Sequence, residues 1–283
     1  MSLDPQAWQQ WLGRTERGAD QVSAGPVAAL AATLDRDDPE AVAGSEVPPL
    51  WHWIFFTPCD RQSDLGEDGH ARRGGFLPPV PLPLRMWAGG RLDFQHPLRI
   101  GDRIERSSRI ADIRFREGHS GPLVFVTVRH EISNPQGVAI VEEHDVVYRD
   151  ATRPSAMGPA PQAAPTSEAF SREVAADPVL LFRYSALTFN AHRIHYDRSY
   201  AGKVEGYPGL VVHGPLVATL LLELLRRQVP QARVRRFSFK AVGPLYDINR
   251  FTLCGRAEGE GAYALWARDH EGALAMHASV EAA

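Results

Sequence analysis

Cysteine is scarce in this chain of 283 residues: Cys59 and Cys254 are the only two. They form no disulfide framework and no metal-knuckle spacing, and their scarcity fits a reduced, cytoplasmic setting. No apolar run approaches the roughly 20 residues that cross a bilayer. The opening MSLDPQAWQQWLGRTERGADQ lacks the basic-then-apolar layout of a secretory leader. It is polar with two tryptophans, which predicts a short docked helix. Charge of one sign is also missing: 31 basic against 34 acidic side chains leave a net −3. Neither nucleic acid nor an anionic membrane therefore has an electrostatic reason to bind. No glycine-rich loop follows a strand to open a nucleotide-binding helix. No Gly-x-Ser-x-Gly elbow presents a serine nucleophile.

What remains is ordinary globular material, 44% hydrophobic and 23% charged, enough for one large or two modest domains. Residues 151–178, rich in Ala, Pro and Ser, read as a linker between a first half (1–150) and a second (179–283). The halves look like a decayed repeat. Pro26–Glu40 parallels Pro178–His195, with Asp35 and Glu40 in the places of Asn190 and His195. Pro48–Trp53 parallels Pro208–His213, and Leu92-x-Phe94 before Asp102 parallels Phe237-x-Phe239 before Asp247. Strand-like alternation follows in each half: Arg91–Phe94, Arg103–Phe115, Leu123–Ser133 and Val138–Tyr148, then Arg235–Ala241, Phe251–Ala257, Ala262–Asp269 and Leu274–Val280. Val217–Leu225 is apolar nearly all round and predicts a buried helix. Pattern alone gives an α+β chain of two similar domains, a helix followed by antiparallel strands twice over.

The chemistry concentrates in FRYSALTFNAHRIHYDRSYAGKVEGYPGLVVHGPLVATLL, residues 182–221. A polar turn carries Asn190, His192 and His195. A Gly/Pro-rich loop then leads to Val212-His213-Gly214, which opens the apolar helix. An imidazole can move a proton near neutral pH. Free amides around Gly214 can hold an oxyanion, and the missing Cβ admits a carbonyl closely. The plain alternatives are a structural histidine and an ordinary helix start, with Pro215 in the first turn. His192-x-x-His195 with His213 has metal-like spacing but no thiolate partner, so no metal is expected.

At these residues the chain resembles the MaoC-like, R-specific enoyl-CoA hydratases, whose signature is Gly-Asp-x-Asn-Pro-(Leu/Ile)-His followed by Val-His-Gly. Phe189-Asn-Ala-His-Arg-Ile-His195 and Val212-His-Gly214 fall on it, with Asn190, His192 and Arg193 in the places of the family's Asp, Asn and Pro. The variant Phe-Asn-x-His-x-Ile-His-Tyr-Asp and the run Arg73–Gly90 are similar to the subgroup of mesaconyl-C4-CoA and itaconyl-CoA hydratases. The resemblance implies a double hot dog: two units, each an antiparallel sheet around a central helix. It implies a hydro-lyase on a short dicarboxylic enoyl-CoA, giving citramalyl-CoA. Other readings are a (3R)-hydroxyacyl-CoA or acyl-carrier-protein dehydratase, a thioesterase, or a non-catalytic acyl-thioester binder. His195 would be the principal acid and base, and Gly214 the oxyanion donor. Asn190 would position water or the imidazole, since a carboxamide takes no proton. The second proton-transfer group stays open among Asp197, Glu205 and His192, Asp197 being equally readable as a helix cap. His192, Arg193 and His213, with Arg73 and Arg85, are candidate substrate contacts. Trp51, Trp53, Phe55 and Phe56 suit core packing or an acyl pocket, and Asp60–Gly90 a lid. No cofactor is expected beyond the substrate's coenzyme A, and a homo-oligomer is possible.

Overall fold

A computed structural model describes residues 5–118, 121–150 and 161–283. Ten strands form one sheet: β1 (Thr15–Gln21), β2 (Leu84–Phe94), β3 (Arg103–Gly118), β4 (Gly121–Asn134), β5 (Gly137–Arg149), β6 (Phe170–Val174), β7 (Val234–Ala241), β8 (Phe251–Gly259), β9 (Ala262–Arg268) and β10 (Leu274–Ala282). Their order is β1-β3-β4-β5-β2-β7-β10-β9-β8-β6, so each half supplies five neighbouring strands. Every pairing is antiparallel. The halves join where β2 runs against β7, with Gly89 opposite Lys240 and Gly90 opposite Phe239. A Cβ on Gly89 would sit 2.6 Å from the Phe239 carbonyl oxygen, so this close seam requires glycine.

Helices α1 (Ala24–Thr33), α2 (Pro178–Thr188), α3 (Arg198–Lys203) and α4 (Gly214–Gln228) complete the described residues' regular structure, with four short 3₁₀ turns. In α4 every residue from Leu216 to Leu225 is buried, as its all-round apolar sequence predicts. The Asp177 carboxylate caps α2 by accepting the Leu180 N–H at 2.8 Å, and Pro178 fills the first turn. The repeat is visible in hydrogen bonds. The Arg36 N–H donates to Ala31 O after left-handed Asp35, as the Asn190 N–H donates to Ser185 O after left-handed Phe189. Arg36, not Asp35, therefore holds the place of Asn190.

The symmetry then fails. The Val47 N–H donates to Leu98 O as the Val212 N–H donates to Leu245 O. After Val212 the chain enters α4; after Val47 it makes only the 3₁₀ turn Trp51–Ile54. Pro48 and Pro49 remove two backbone donors there, and Leu50 is left-handed at φ 70°, so no α-helix propagates. The expectation of a central helix in both halves is corrected: among the described residues the first half has no central helix.

Two strands went unread. β1 is a polar edge strand without apolar alternation, and β6 lies in the segment read as linker, where Phe170–Val174 pairs with Phe251–Gly255. Residues 151–160 of that segment lie outside the described residues. One apolar core runs through both halves, joining Leu30, Trp51 and Leu92 to Leu181, Leu216 and Phe237. A second cluster on β3–β5 is covered by Val80 and Leu82 and by Trp8 of the amino-terminal 3₁₀ turn Pro5–Trp11.

Candidate active site

Helix α2 ends at Phe189, and the Asn190 Oδ1 accepts the His192 N–H at 3.0 Å, an Asx turn that redirects the chain. The 3₁₀ turn Arg193–His195 follows. The Val211 N–H donates to Ile194 O, and the Val211 carbonyl accepts from His195 Nδ1 at 2.7 Å. A carbonyl only accepts, so Nδ1 carries the hydrogen and Nε2 the lone pair. Among the described residues no protein group hydrogen-bonds that Nε2. His195 is 7% exposed. Burial pushes its pKa down to about 4, against the opposing Val211 bond. The near-neutral titration expected for His195 is thereby corrected: at neutral pH it is an uncharged base.

His213, expected to touch substrate, is instead a brace. It is buried and stacked on His195, with ring centroids 3.7 Å apart and planes at 20°. Its Nε2 meets Ser185 Oγ at 2.8 Å, and Tyr184 packs at its edge. Burial and the neighbouring His195 and His192 hold it well below the usual imidazole range, so it supports His195 as a neutral ring. Gly214 begins α4, where the first amides lack intrahelical partners.

Other candidates are spent elsewhere. Asp197 caps α3 by accepting the Tyr200 N–H at 3.0 Å and pairs with Arg193 at 2.7 Å. These contacts lower its pKa and make it a cap rather than the missing acid. Arg193 lies over the Tyr200 ring and donates to Glu67 O, and Arg73 donates to the carbonyls of Val80, Leu82 and Pro83. Both therefore fasten loops instead of facing substrate. Arg85 does line the cavity, beside the Tyr148 hydroxyl. His192 is driven to about 2 by burial and by the nearby His70 and His195, and its ring stands edge-on to His195 at 5.4 Å.

A cavity of about 670 Å³ opens where the first half lacks its helix. Ser185, Asn190, Ala191 and Pro215 form one wall, with His195 and Gly214 close behind them in the chain rather than on the lining, and Trp53, Trp87, His70 and Arg85 face them from the first half. Trp53 and Trp87 meet edge-to-face at 4.8 Å, and His144 lies 3.9 Å from the Trp87 ring. Behind them Glu142 accepts from Trp53 Nε1 at 3.0 Å and pairs with His52 at 3.1 Å. Burial alone would raise this carboxyl, yet His144 and His52 hold it well below its usual range. Sequence reading missed Glu142 and its histidines; the signal was an acidic residue at an inward position of an apolar strand. It also missed Asp68 and His70, whose side chains pair at 3.0 Å. Metal-type donors gather in Asp68–His70–His192 and His130–Glu142–His144. In both, the carboxylate already binds an imidazole or indole N–H.

The sequence matches the family model of hydroxyacyl-thioester dehydratase type 2 across residues 50–247. It is 50% identical to the mesaconyl-C(4)-CoA hydratase of Chloroflexus aurantiacus over 277 residues, 97% of each chain. Among solved structures, a MaoC-like dehydratase superposes with a TM-score of 0.73 at 15% identity, covering 97% of this chain and 99% of its own. A Mycobacterium tuberculosis protein described as having a double hotdog fold superposes with a TM-score of 0.61 at 14% identity, covering 96% of each. The architecture is the double hot dog, α+β as expected.

Proposed function

The chain belongs to the hydroxyacyl-thioester dehydratase type 2 family, and we propose that it hydrates mesaconyl-C4-CoA, a short dicarboxylic enoyl-CoA, to citramalyl-CoA. It is a hydro-lyase of the MaoC-like type. The structural observation that supports the reaction is the free Nε2 of His195, an uncharged base held against the segment that leads into the amino terminus of α4. Water attacks Cβ as His195 Nε2 takes one of its protons. The double-bond pair moves through Cα onto the thioester oxygen, where the Gly214 amide and the α4 terminus meet the developing charge. The same proton passes from His195 to Cα as the enolate collapses.

The identity to the Chloroflexus hydratase, which spans nearly the whole of both chains, supports the substrate. So does Arg85 on the cavity wall, a cation suited to the carboxylate carried on Cβ. Itaconyl-CoA is the related candidate. The reaction needs only side chains and a helix terminus, so we propose no cofactor beyond the substrate's coenzyme A. No helix among the described residues is long and apolar enough to cross a membrane. A cytoplasmic enzyme with two unpaired cysteines fits the reading, and self-association is part of the proposal.

The test is a panel of enoyl-CoA esters followed by loss of the conjugated thioester. Mesaconyl-C4-CoA should give the highest kcat/KM, and faster turnover of plain acyl chains would overturn the substrate assignment. Release of free coenzyme A would point to a thioesterase, and tight binding without turnover to a binding protein.

A further inference from the structure

The motif turn supplies no carboxylate for catalysis. Asn190 cannot ionise, Asp197 caps α3, and Glu205 lies against the Tyr200 hydroxyl at 3.3 Å. A carboxylate–imidazole pair nevertheless reaches this turn, carried by the other half. Asp68 accepts from His70 twice, from Nδ1 and from the backbone N–H, each at 3.0 Å. His70 lines the cavity, and its ring lies 4.1 Å from that of His192.

The loop that bears this pair is seated on the motif turn. The Arg193 N–H donates to Asp68 O at 2.9 Å, and the Arg193 guanidinium to Glu67 O at 3.0 Å. The Gly66 N–H and the Leu65–Ala71 bridge close the loop on itself. Gly69 is pressed so near the turn that a Cβ there would lie 1.8 Å from Ala191 O, and its φ of +89° favours glycine as well. Asp68 and His70 are thus fixed beside the residues that hold His195.

We propose that Asp68 and His70 replace the carboxylate missing at position 190: His70 Nε2 accepts one hydrogen of the attacking water, and Asp68 fixes the tautomer that allows it. The proposal rests on the hydratase reading. With Asp68 accepting the Nδ1 hydrogen, Nε2 of His70 bears a lone pair, as Nε2 of His195 does. The two lone pairs take the two hydrogens of one water. His195 removes the first as the oxygen bonds to Cβ, the double-bond pair moves to the thioester oxygen, and that proton then goes to Cα. The second hydrogen stays on the product hydroxyl, held by His70, so atoms and electrons balance with no further reactant. His70 is catalytic in this scheme and Asp68 a positioning residue. The charged or titratable groups facing His70 are Asp68 on its own loop, Arg73 beyond it, Arg85 from β2, and His192 and His195 from the motif turn.

The experiment measures kcat and KM for mesaconyl-C4-CoA in the full chain, with unfolding midpoints alongside. The variants are His70→Gln, Asp68→Asn and the double variant His70→Gln/Asn190→Asp. His70→Gln should lower kcat about 100-fold and Asp68→Asn about 10-fold, each with KM within about threefold. Returning a carboxylate at position 190 should recover at least about tenfold of the His70→Gln loss. A His70→Gln kcat within threefold of wild type overturns the proposal. A loss carried by KM, or no recovery in the double variant, overturns it as well. Wild-type protein that fails to hydrate any enoyl-CoA would instead overturn the hydratase reading on which the proposal stands.

Discussion

At the same point in their plan the two halves part. The second half passes from Val212 into the 15 residues of α4, and the curved sheet closes over an apolar cylinder. The first half passes from Val47 through a single 3₁₀ turn and leaves for the long loop that returns as β2. A sheet that loses its central helix must refill the space or leave a hollow, because unfilled apolar volume costs contacts on every side. Trp51 refills part of it, reaching Glu223 of α4 with an Nε1–Oε1 bond of 3.0 Å. The remainder is the cavity. The half with the central helix therefore holds His195 and Gly214, while the half without one gains a cavity and a loop set against the motif turn.

Separating the halves tests this most severely. Residues 151–283 alone would expose the edge of β7, lose the Trp53–Trp87 wall and uncover apolar area that tends to associate. That fragment should be insoluble or show no measurable hydration, with partial rescue by co-expressing residues 1–150. A soluble, monomeric fragment of full activity would break the comparison, leaving the first half only a scaffold.

Seating of the loop is a smaller lever. Gly69→Ala drives a Cβ into Ala191 O and should cost about tenfold or more in kcat, since displaced catalytic groups lose rate steeply. Gly101→Ala is its control: φ there is +101° and nothing lies within 4 Å, so it shares the backbone strain without the collision. Assays of both with mesaconyl-C4-CoA should show the rate loss at Gly69 alone. Equal losses would mean that backbone strain, not the seat on the motif turn, matters. The smallest effect belongs to Asp197→Ala. Losing the α3 cap should lower the denaturant unfolding midpoint slightly, with kcat within about threefold. A hundredfold loss of kcat would return Asp197 to the chemistry.

The strands rich in Val, Ile and Phe were legible within a few residues because alternation against a buried face writes itself into sequence. β1 was not, since an edge strand of Thr-Glu-Arg-Gly-Ala-Asp-Gln faces solvent on most positions. His195, Asn190 and Gly214 could be read because one continuous stretch carries them. Asp68 and His70 could not: only the folded chain brings their loop onto a turn more than a hundred residues away. The neutral state of His195 was hidden for a similar reason, as burial beneath His213 and the Val211 carbonyl bond belong to packing, not to local pattern.

The role of His195 as a neutral base is tested most directly by the rate of His195→Gln against wild type, followed as kcat/KM across acidic and neutral pH. Because burial lowers its pKa to about 4, His195 is uncharged above that pH and loses its lone pair below it. Wild-type kcat/KM for hydration of mesaconyl-C4-CoA should therefore hold level from neutral pH down toward 5 and fall as pH passes through about 4. His195→Gln should lie about 10²–10⁴-fold lower throughout the level region, with an unchanged unfolding midpoint. A folded His195→Gln protein that turns over within threefold of wild type at neutral pH would contradict the central assignment.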